Sequence, residues 1–305
     1  MAAEAESVQD GPVAALLPRL TLRAKSLIVT VYGDALMPHG GACWLGSLIR
    51  LVAPLGVSER MVRTGVYRLS QEGLLTSTQT GRKSFYALTD DGRRQFQSAQ
   101  RRIYSLPARD WDGRWLFVLL TDDAPADARE ALKKELAFQG FATLAPTLLA
   151  HPKAERDAAK RAICAHRLAD HALILEAASD DRDAMRPLRR IVEQAWSLEA
   201  LDAQYRAFLK TFRPIAEGES PRDPETAFLL RVLLIHDYRR ILLRDPALPP
   251  ELLPRGWSGE AATKTTAALY RRLVDPAEAW LAEAVETLDG PLPPAQAFFH
   301  QRFGM

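Results

Sequence analysis

The order of apolar and polar positions divides the chain into three stretches with different rhythms. In the first, Leu27, Ile28, Val31, Tyr32, Ala35 and Leu36 recur at helical spacing, which predicts a helix over 22–36 with that stripe buried. Gly33 lies inside it, a poor helix former whose small size suits close packing. Pro38-His39-Gly40-Gly41 breaks the pattern. A second helix is expected over 43–52, with Trp44, Leu45, Leu48, Ile49 and Val52 turned inward. Pro54 and Gly56 make a tight connection to a third helix, which opens at Ser58, a residue whose hydroxyl can accept an N–H of the first turn. Met61, Val62, Val66 and Leu69 form its apolar face, and Arg60, Arg63, Thr64, Tyr67 and Arg68 the opposite one. Gly73 suits its C-terminal end.

The rhythm then shortens. Two β-prone runs, 74–78 and 84–88, flank Gly81-Arg82-Lys83, a hairpin signal with a basic tip. Thr89-Asp90-Asp91-Gly92 starts a further helix through residue 104, with Arg93, Arg94, Arg101 and Arg102 along its exposed side. Three helices followed by a basic hairpin describe a winged helix-turn-helix.

The second stretch alternates. Residues 115–120 read as a buried strand, 126–139 as a helix, 141–144 and 147–151 as two strands, 155–168 as a helix and 172–176 as a last strand. The order βαββαβ is the ferredoxin-like arrangement, a scaffold with no fixed function. The third stretch is almost all helix, with apolar periodicity over 185–196, 198–212, 225–244 and 260–288, and a proline-rich loop over 245–257. The expected architecture is α+β and multidomain: a flexible tail over 1–18, a winged helix domain with its linker helix over 19–106, a ferredoxin-like domain over 107–178 and a mostly helical domain over 179–305.

Charge sharpens this picture. The 305 residues carry a net charge of only +2, but residues 12–105 hold 13 Lys and Arg against 5 Asp and Glu. A basic first domain on a slightly acidic remainder is the footprint of a module that binds a polyanion. The recognition helix of such a fold enters the major groove of double-stranded DNA. Arg60, Arg63 and Arg68 can each fork onto a guanine or grip a phosphate, Ser58, Thr64 and Tyr67 are candidate phosphate contacts, and Arg82 and Lys83 would reach the backbone or minor groove. No run approaches the ~18 apolar residues of a membrane span. No secretory signal is seen at the N-terminus, and Cys43 and Cys164 fit no metal-ligand spacing. A cytoplasmic protein with reduced thiols and no bound metal is expected.

Specific strings also carry a family likeness. They are Gly56-Val57-Ser58-Glu59-Arg60-Met61-Val62-Arg63-Thr64, Gly73-Leu74-Leu75 and Gly81-Arg82-Lys83-Ser84-Phe85-Tyr86-Ala87-Leu88-Thr89 in the first domain. Trp115, Asp123, Pro125, Gly140-Phe141, Pro146 and Pro152 match in the second. His236-Asp237-Tyr238-Arg239, Asp245-Pro246, Leu248-Pro249, Leu252-Leu253-Pro254, Trp257 and Gly259 match in the third. With these the chain resembles the PaaX family of phenylacetate-degradation repressors over nearly its whole length. It departs at Thr78-Gln79-Thr80, where relatives tend to be more basic, and at Gly65, where Ala is common. The resemblance implies a dimeric repressor of an aromatic-acid catabolic operon. It also implies release from operator DNA by an aryl-acetyl-CoA thioester, usually phenylacetyl-CoA, with no cofactor. The helical domain would then serve as effector and dimerisation domain.

A CoA thioester needs an apolar slot beside positive charge. The segment containing His236, Tyr238, Arg239, Arg240 and Trp257 supplies both residue types near a rigid proline loop. Two other readings stand beside the repressor. The middle unit looks like Cas2 nucleases, and Asp122-Asp123 follows its first strand where a metal-binding aspartate would sit, although an Asp there also serves as an ordinary helix cap. A DNA-binding scaffold without an effector is the other. No HExxH, phosphate-loop or Ser/His/Asp string appears.

Overall fold

The computed structural model describes residues 11–105, 111–178 and 185–305. These fall into two compact units, one built from the described residues of 1–106, 206–242 and 260–305, the other from those of 107–205 and 243–259. The expected domain boundaries at 106/107 and 178/179 touch residues outside the described ones, as do the first ten residues of the expected tail.

The first unit opens with α1 (Pro12–Leu16) and a 3-10 turn. Here the expectation of a flexible tail over 1–18 fails for its described part. Pro12 sits in the first helical turn, where its missing N–H costs nothing. Val13 and Leu16, three residues apart, are both buried. Next comes α2 (Ala24–Val31), with Leu27, Ile28 and Val31 buried as the stripe requires. It runs on into a π-helical turn at Tyr32–Leu36 and a 3-10 turn at Met37–His39. The strand β1 (Ala42–Trp44) precedes α3 (Leu45–Val52), so Cys43 and Trp44 are not helical as expected. Their partner is β3, more than forty residues on, which local periodicity cannot reveal.

Helix α4 (Glu59–Gln71) is capped at both ends. Ser58 Oγ accepts the Met61 N–H at 3.4 Å. At the other end the Leu74 N–H reaches Leu69 O at 2.9 Å and the Gly73 N–H reaches Ser70 O at 3.0 Å, a Schellman closure that needs the left-handed Gly73 (φ 71°). The buried face is Val62, Gly65, Val66 and Leu69. Met61, expected on that face, is 44% exposed: it lies about 40° beyond Gly65 at the edge of the stripe. A Cβ on Gly65 would stand 2.5 Å from Ile28 Cδ1, the tip of a side chain that would have to turn aside, while the nearest α2 backbone atom is 3.8 Å away. Gly33 is likewise tight, against Phe96. The hairpin β2 (Leu75–Thr80) and β3 (Lys83–Leu88) follows with a two-residue turn, and β1 completes an antiparallel sheet of order β1-β3-β2. Helix α5 (Asp90–Tyr104) starts at Thr89, whose Oγ1 accepts the Gly92 N–H at 2.9 Å.

The second unit contains β4 (Arg114–Leu120), α6 (Ala126–Phe138), β5 (Ala142–Ala145), β6 (Leu148–His151), α7 (Arg156–Ala165) and β7 (Ala172–Ala178). All pairings are antiparallel in the order β5-β6-β4-β7. Leu116, Val118 and Leu120 point to one face and share a core with Leu132, Leu136, Ala159 and Ile163 of α6 and α7. On the other face Trp115 and Ala150 pack with Val192 of α8 (Met185–Trp196), Leu198, Leu248 and Leu252.

Helix α9 (Leu198–Glu217) begins in the second unit and ends in the first. The first unit then continues with α10 (Pro224–Leu242), buried along nearly its whole length from Ala227 to His236, and α11 (Ser258–Ala284). A helix to residue 288 was expected. Instead Glu286–Thr287 (β8) and Gly290–Pro291 (β9) form a small antiparallel pair, and a 3-10 segment, Ala297–Gly304, closes the chain.

Candidate nucleic-acid interface

The apolar face of α4 is spent on α2, so the opposite face is presented outward. Arg60, Arg63, Thr64, Tyr67 and Arg68 are all exposed, Tyr67 by 63%. Their spacing at i, i+3, i+4, i+7 and i+8 puts them on one stripe of the helix. Ser58, also exposed, is engaged as the cap. The Thr64 hydroxyl donates to Arg60 O at 2.9 Å. Arg63 is held by Glu59, which accepts from Nε at 2.8 Å and Nη2 at 2.6 Å. Arg60, Arg68 and Arg82 make no ion pair among the described residues. Lys83 behaves differently from its neighbour. Its Nζ donates to both carboxylate oxygens of Glu286, at 2.6 and 2.7 Å, and stands 4.6 Å from the centre of the Trp44 ring. On α5, Arg93 donates to Gly40 O at 3.0 Å and Arg94 pairs with Asp91.

The residues expected to hold an effector are placed in two different units. Four are on α10. His236 is fully buried, and its Nδ1 lies 3.0 Å from Thr30 Oγ1. Burial first, then the charges of Arg239 and Arg240, push its pKa down to about 4. Arg239 donates from Nε to Thr30 Oγ1 at 2.8 Å and from Nη2 to Ser26 O at 2.7 Å and Ser26 Oγ at 2.9 Å. Burial lowers the Arg239 pKa to about 10. The Tyr238 hydroxyl bonds Thr263 Oγ1 at 2.9 Å. Arg240, 38% exposed, pairs with Asp237 at 3.6 Å. Trp257 belongs to the other unit, where its ring meets Tyr205 edge-on at 5.7 Å. In that unit a groove of about 530 Å³ runs past Trp111, Trp115 and Pro152. Of its cations, Arg156 pairs with Glu176 at 3.1 Å and Arg114 with Asp112 at 3.8 Å.

Sequence reasoning missed a buried charge network in the first unit. Asp34, in the π turn, accepts from Tyr104 Oη at 2.6 Å, Tyr270 Oη at 3.1 Å and Arg302 Nη1 at 3.2 Å, and faces Arg231 Nε at 2.9 Å. Arg302 also donates to the carbonyls of Gly33 and Asp34, at 3.2 and 2.8 Å, in the stretch where the wider turn replaces α-helical bonding. Glu278 receives Arg231 Nη1 at 2.6 Å and bonds His39 Nε2 at 2.8 Å. Burial would raise the Glu278 pKa, but the Arg231 charge and the His39 and Arg231 bonds outweigh it and hold it at about 2. The only available signal was a charged residue, Asp34, inside an apolar stripe.

Asp123 lies just after β4, where a nuclease reading would put a metal ligand. It bonds His171 Nδ1 at 3.4 Å, and the Thr121 and His171 bonds lower its pKa.

The chain is 40% identical over 283 residues to Transcriptional repressor PaaX of Escherichia coli strain K12, an alignment spanning 92% of this chain and 89% of that one. By its name that relative is a transcriptional repressor. Three family models cover most of its length: PaaX-like protein over residues 23–92, PaaX protein central Cas2-like domain over 108–188, and PaaX-like protein C-terminal domain over 196–283. The chain belongs to the PaaX family. A solved structure, Uncharacterized protein Rv0674 from Mycobacterium tuberculosis, shares the fold with a TM-score of 0.52 at 21% identity, covering 84% of this chain and 99% of that one. No helix among the described residues is long and apolar enough to cross a membrane.

Proposed function

We propose that this protein is a cytoplasmic repressor of a phenylacetate catabolic operon, released from its operator by an aryl-acetyl-CoA thioester such as phenylacetyl-CoA. The single observation that carries the DNA half is the two-sided α4, with Val62, Gly65, Val66 and Leu69 in the core and Arg60, Arg63, Thr64, Tyr67 and Arg68 outside. In this reading α2, α3, α4 and the β2–β3 hairpin are a winged helix-turn-helix. Helix α4 enters the major groove, and the hairpin is the wing. The order β5-β6-β4-β7 supports a ferredoxin-like middle domain. One such module reads few base pairs, so a homodimer on a pseudo-palindrome fits the operator reading. On the β4–β7 sheet Leu119 and Leu173 are directly paired, and with Leu175 they leave an exposed leucine patch suited to a second copy.

The effector half rests on the family, and on a large body of helices and sheet attached to the DNA reader. His236, Tyr238 and Arg239 are engaged within the first unit, while Arg240 is partly exposed there and Trp257 lies in the second unit. Binding can release operator only through a preference for the DNA-free form, and a hundredfold release needs about 2.7 kcal/mol. The test is a gel shift with the protein's own upstream region, with and without phenylacetyl-CoA, free phenylacetate and CoA. Release by the thioester alone is expected, blunted in Trp257→Ala and Arg240→Ala. Unchanged operator affinity at millimolar thioester would leave a DNA-binding protein without this effector.

A further inference from the structure

The β2–β3 hairpin carries two adjacent cations with different surroundings. Arg82 is exposed and has no ion pair among the described residues. Lys83 is chelated by both oxygens of Glu286 at 2.6 and 2.7 Å, and its ammonium lies 4.6 Å from the Trp44 ring centre. The Glu286 side chain is half-exposed, but its backbone is fixed. The residue belongs to β8, pairs with Pro291 of β9, and donates its backbone N–H to Ser47 Oγ of α3 at 3.0 Å. The carboxylate is therefore held beside the hairpin by the last part of the chain, 203 residues away in sequence.

We propose that Glu286 sets the DNA affinity of the hairpin by neutralising Lys83, so that the Lys83 contact to a DNA phosphate forms only when this ion pair opens. This rests on the reading of the hairpin as a DNA-contacting wing. A lysine displaces a condensed counterion from DNA only when its charge is available to a phosphate. With Glu286 across it, Lys83 offers no net charge, and approach to the duplex would also bring a carboxylate toward phosphates. Glu286 is thus a positioning residue for the wing, and its attachment to α3 and β9 makes the wing's grip depend on how the C-terminal segment is seated.

The experiment is operator binding by full-length protein in a salt series from about 50 to 200 mM, for wild type, Arg82→Ala, Lys83→Ala, Glu286→Gln and the Lys83→Ala/Glu286→Gln double variant. Thermal unfolding of each confirms equal folding. Lys83→Ala is expected to weaken binding, because it leaves the Glu286 carboxylate unpaired beside the phosphates. Glu286→Gln is expected to steepen the slope by about 0.9 and tighten binding about five-fold near 0.15 M salt, the yield of one added phosphate contact. The double variant is expected to return to wild type, since the two residues act as one unit. A wild-type slope and affinity for Glu286→Gln overturns the proposal, because Lys83 would then already grip DNA with the carboxylate in place. An equal gain from Glu286→Gln with and without Lys83 overturns it too, because Glu286 would then act by repulsion alone. Arg82→Ala separates this from the underlying reading. A change only there keeps the wing and rejects the Glu286 role; no change in any variant rejects the wing itself, and the proposal with it.

Discussion

Asp34 and Arg231 face each other at 2.9 Å with neither side chain exposed to solvent. One stands in the π turn that extends α2, the other in the middle of α10. Arg302, Tyr104 and Tyr270 converge on the same carboxylate, so α5, α11 and the C-terminal 3-10 segment meet there as well.

Removing the charge of Asp34 leaves two buried guanidinium groups without their main counter-charge. Asp34→Asn is expected to destabilise the protein by about 3–5 kcal/mol, the usual cost of breaking a buried ion pair from one side. Urea unfolding measures it. A loss below about 1 kcal/mol would show that Glu278 and the tyrosines suffice for Arg231 and Arg302.

His236 makes stability depend on pH in a defined window. Its pKa is lowered in the folded protein to about 4 from an ordinary value of 6.5. The unfolded chain therefore binds the proton first, and stability falls as pH drops from 6.5 toward 4. The loss is at most about 3 kcal/mol for a shift of this size. Glu278, held at about 2, acts lower, with stability lost as pH falls from 4.5 toward 2. Denaturant midpoints across pH should show the upper slope in wild type and a shallower one in His236→Asn. Identical slopes between pH 6.5 and 4 would mean that His236 is protonated in the fold.

Arg60→Ala and Arg68→Ala each remove an exposed cation that no carboxylate among the described residues holds. Each is expected to cost about 1–3 kcal/mol of specific operator binding where the arginine forks onto a base, or about one unit of salt slope where it grips a phosphate. If both variants bind like wild type at every salt concentration, α4 is not the reading helix.

Gly92→Ala tests the joint between α5 and the hairpin. In a helix the change ordinarily stabilises by up to about 1 kcal/mol. Here the new Cβ would stand 2.3 Å from Leu74 O, a backbone atom already engaged by Thr89. Net destabilisation is expected, and a higher melting temperature would contradict this geometry.

Leu173→Asp places a charge in the exposed leucine patch beside Leu119 and Leu175. If that patch carries the homodimer, light scattering should move from dimer mass to monomer mass without a change in folding. A dimer that persists excludes this face.

The sequence determined the order of elements from α3 to β7, the amphipathic face of α4 and the basic turn of the hairpin. These depend on local rules: 3.6-residue and 2-residue periodicity, an N-cap at Ser58, a left-handed glycine at position 73. It also determined the family, because the matching strings recur in order along the chain. Tertiary structure decided what those rules do not encode. Cys43 and Trp44 are a strand only because β3 pairs with them, and residues 12–16 dock because Val13 and Leu16 find a buried place. His236 and Arg239, which read as ligand-binding residues, are drawn into bonds with Thr30 and Ser26 on α2. Lys83 reads as a free wing cation until Glu286 is brought beside it. Periodicity reports which way a side chain points from its own helix or strand, whereas its partner is fixed by the packing of segments tens to hundreds of residues apart.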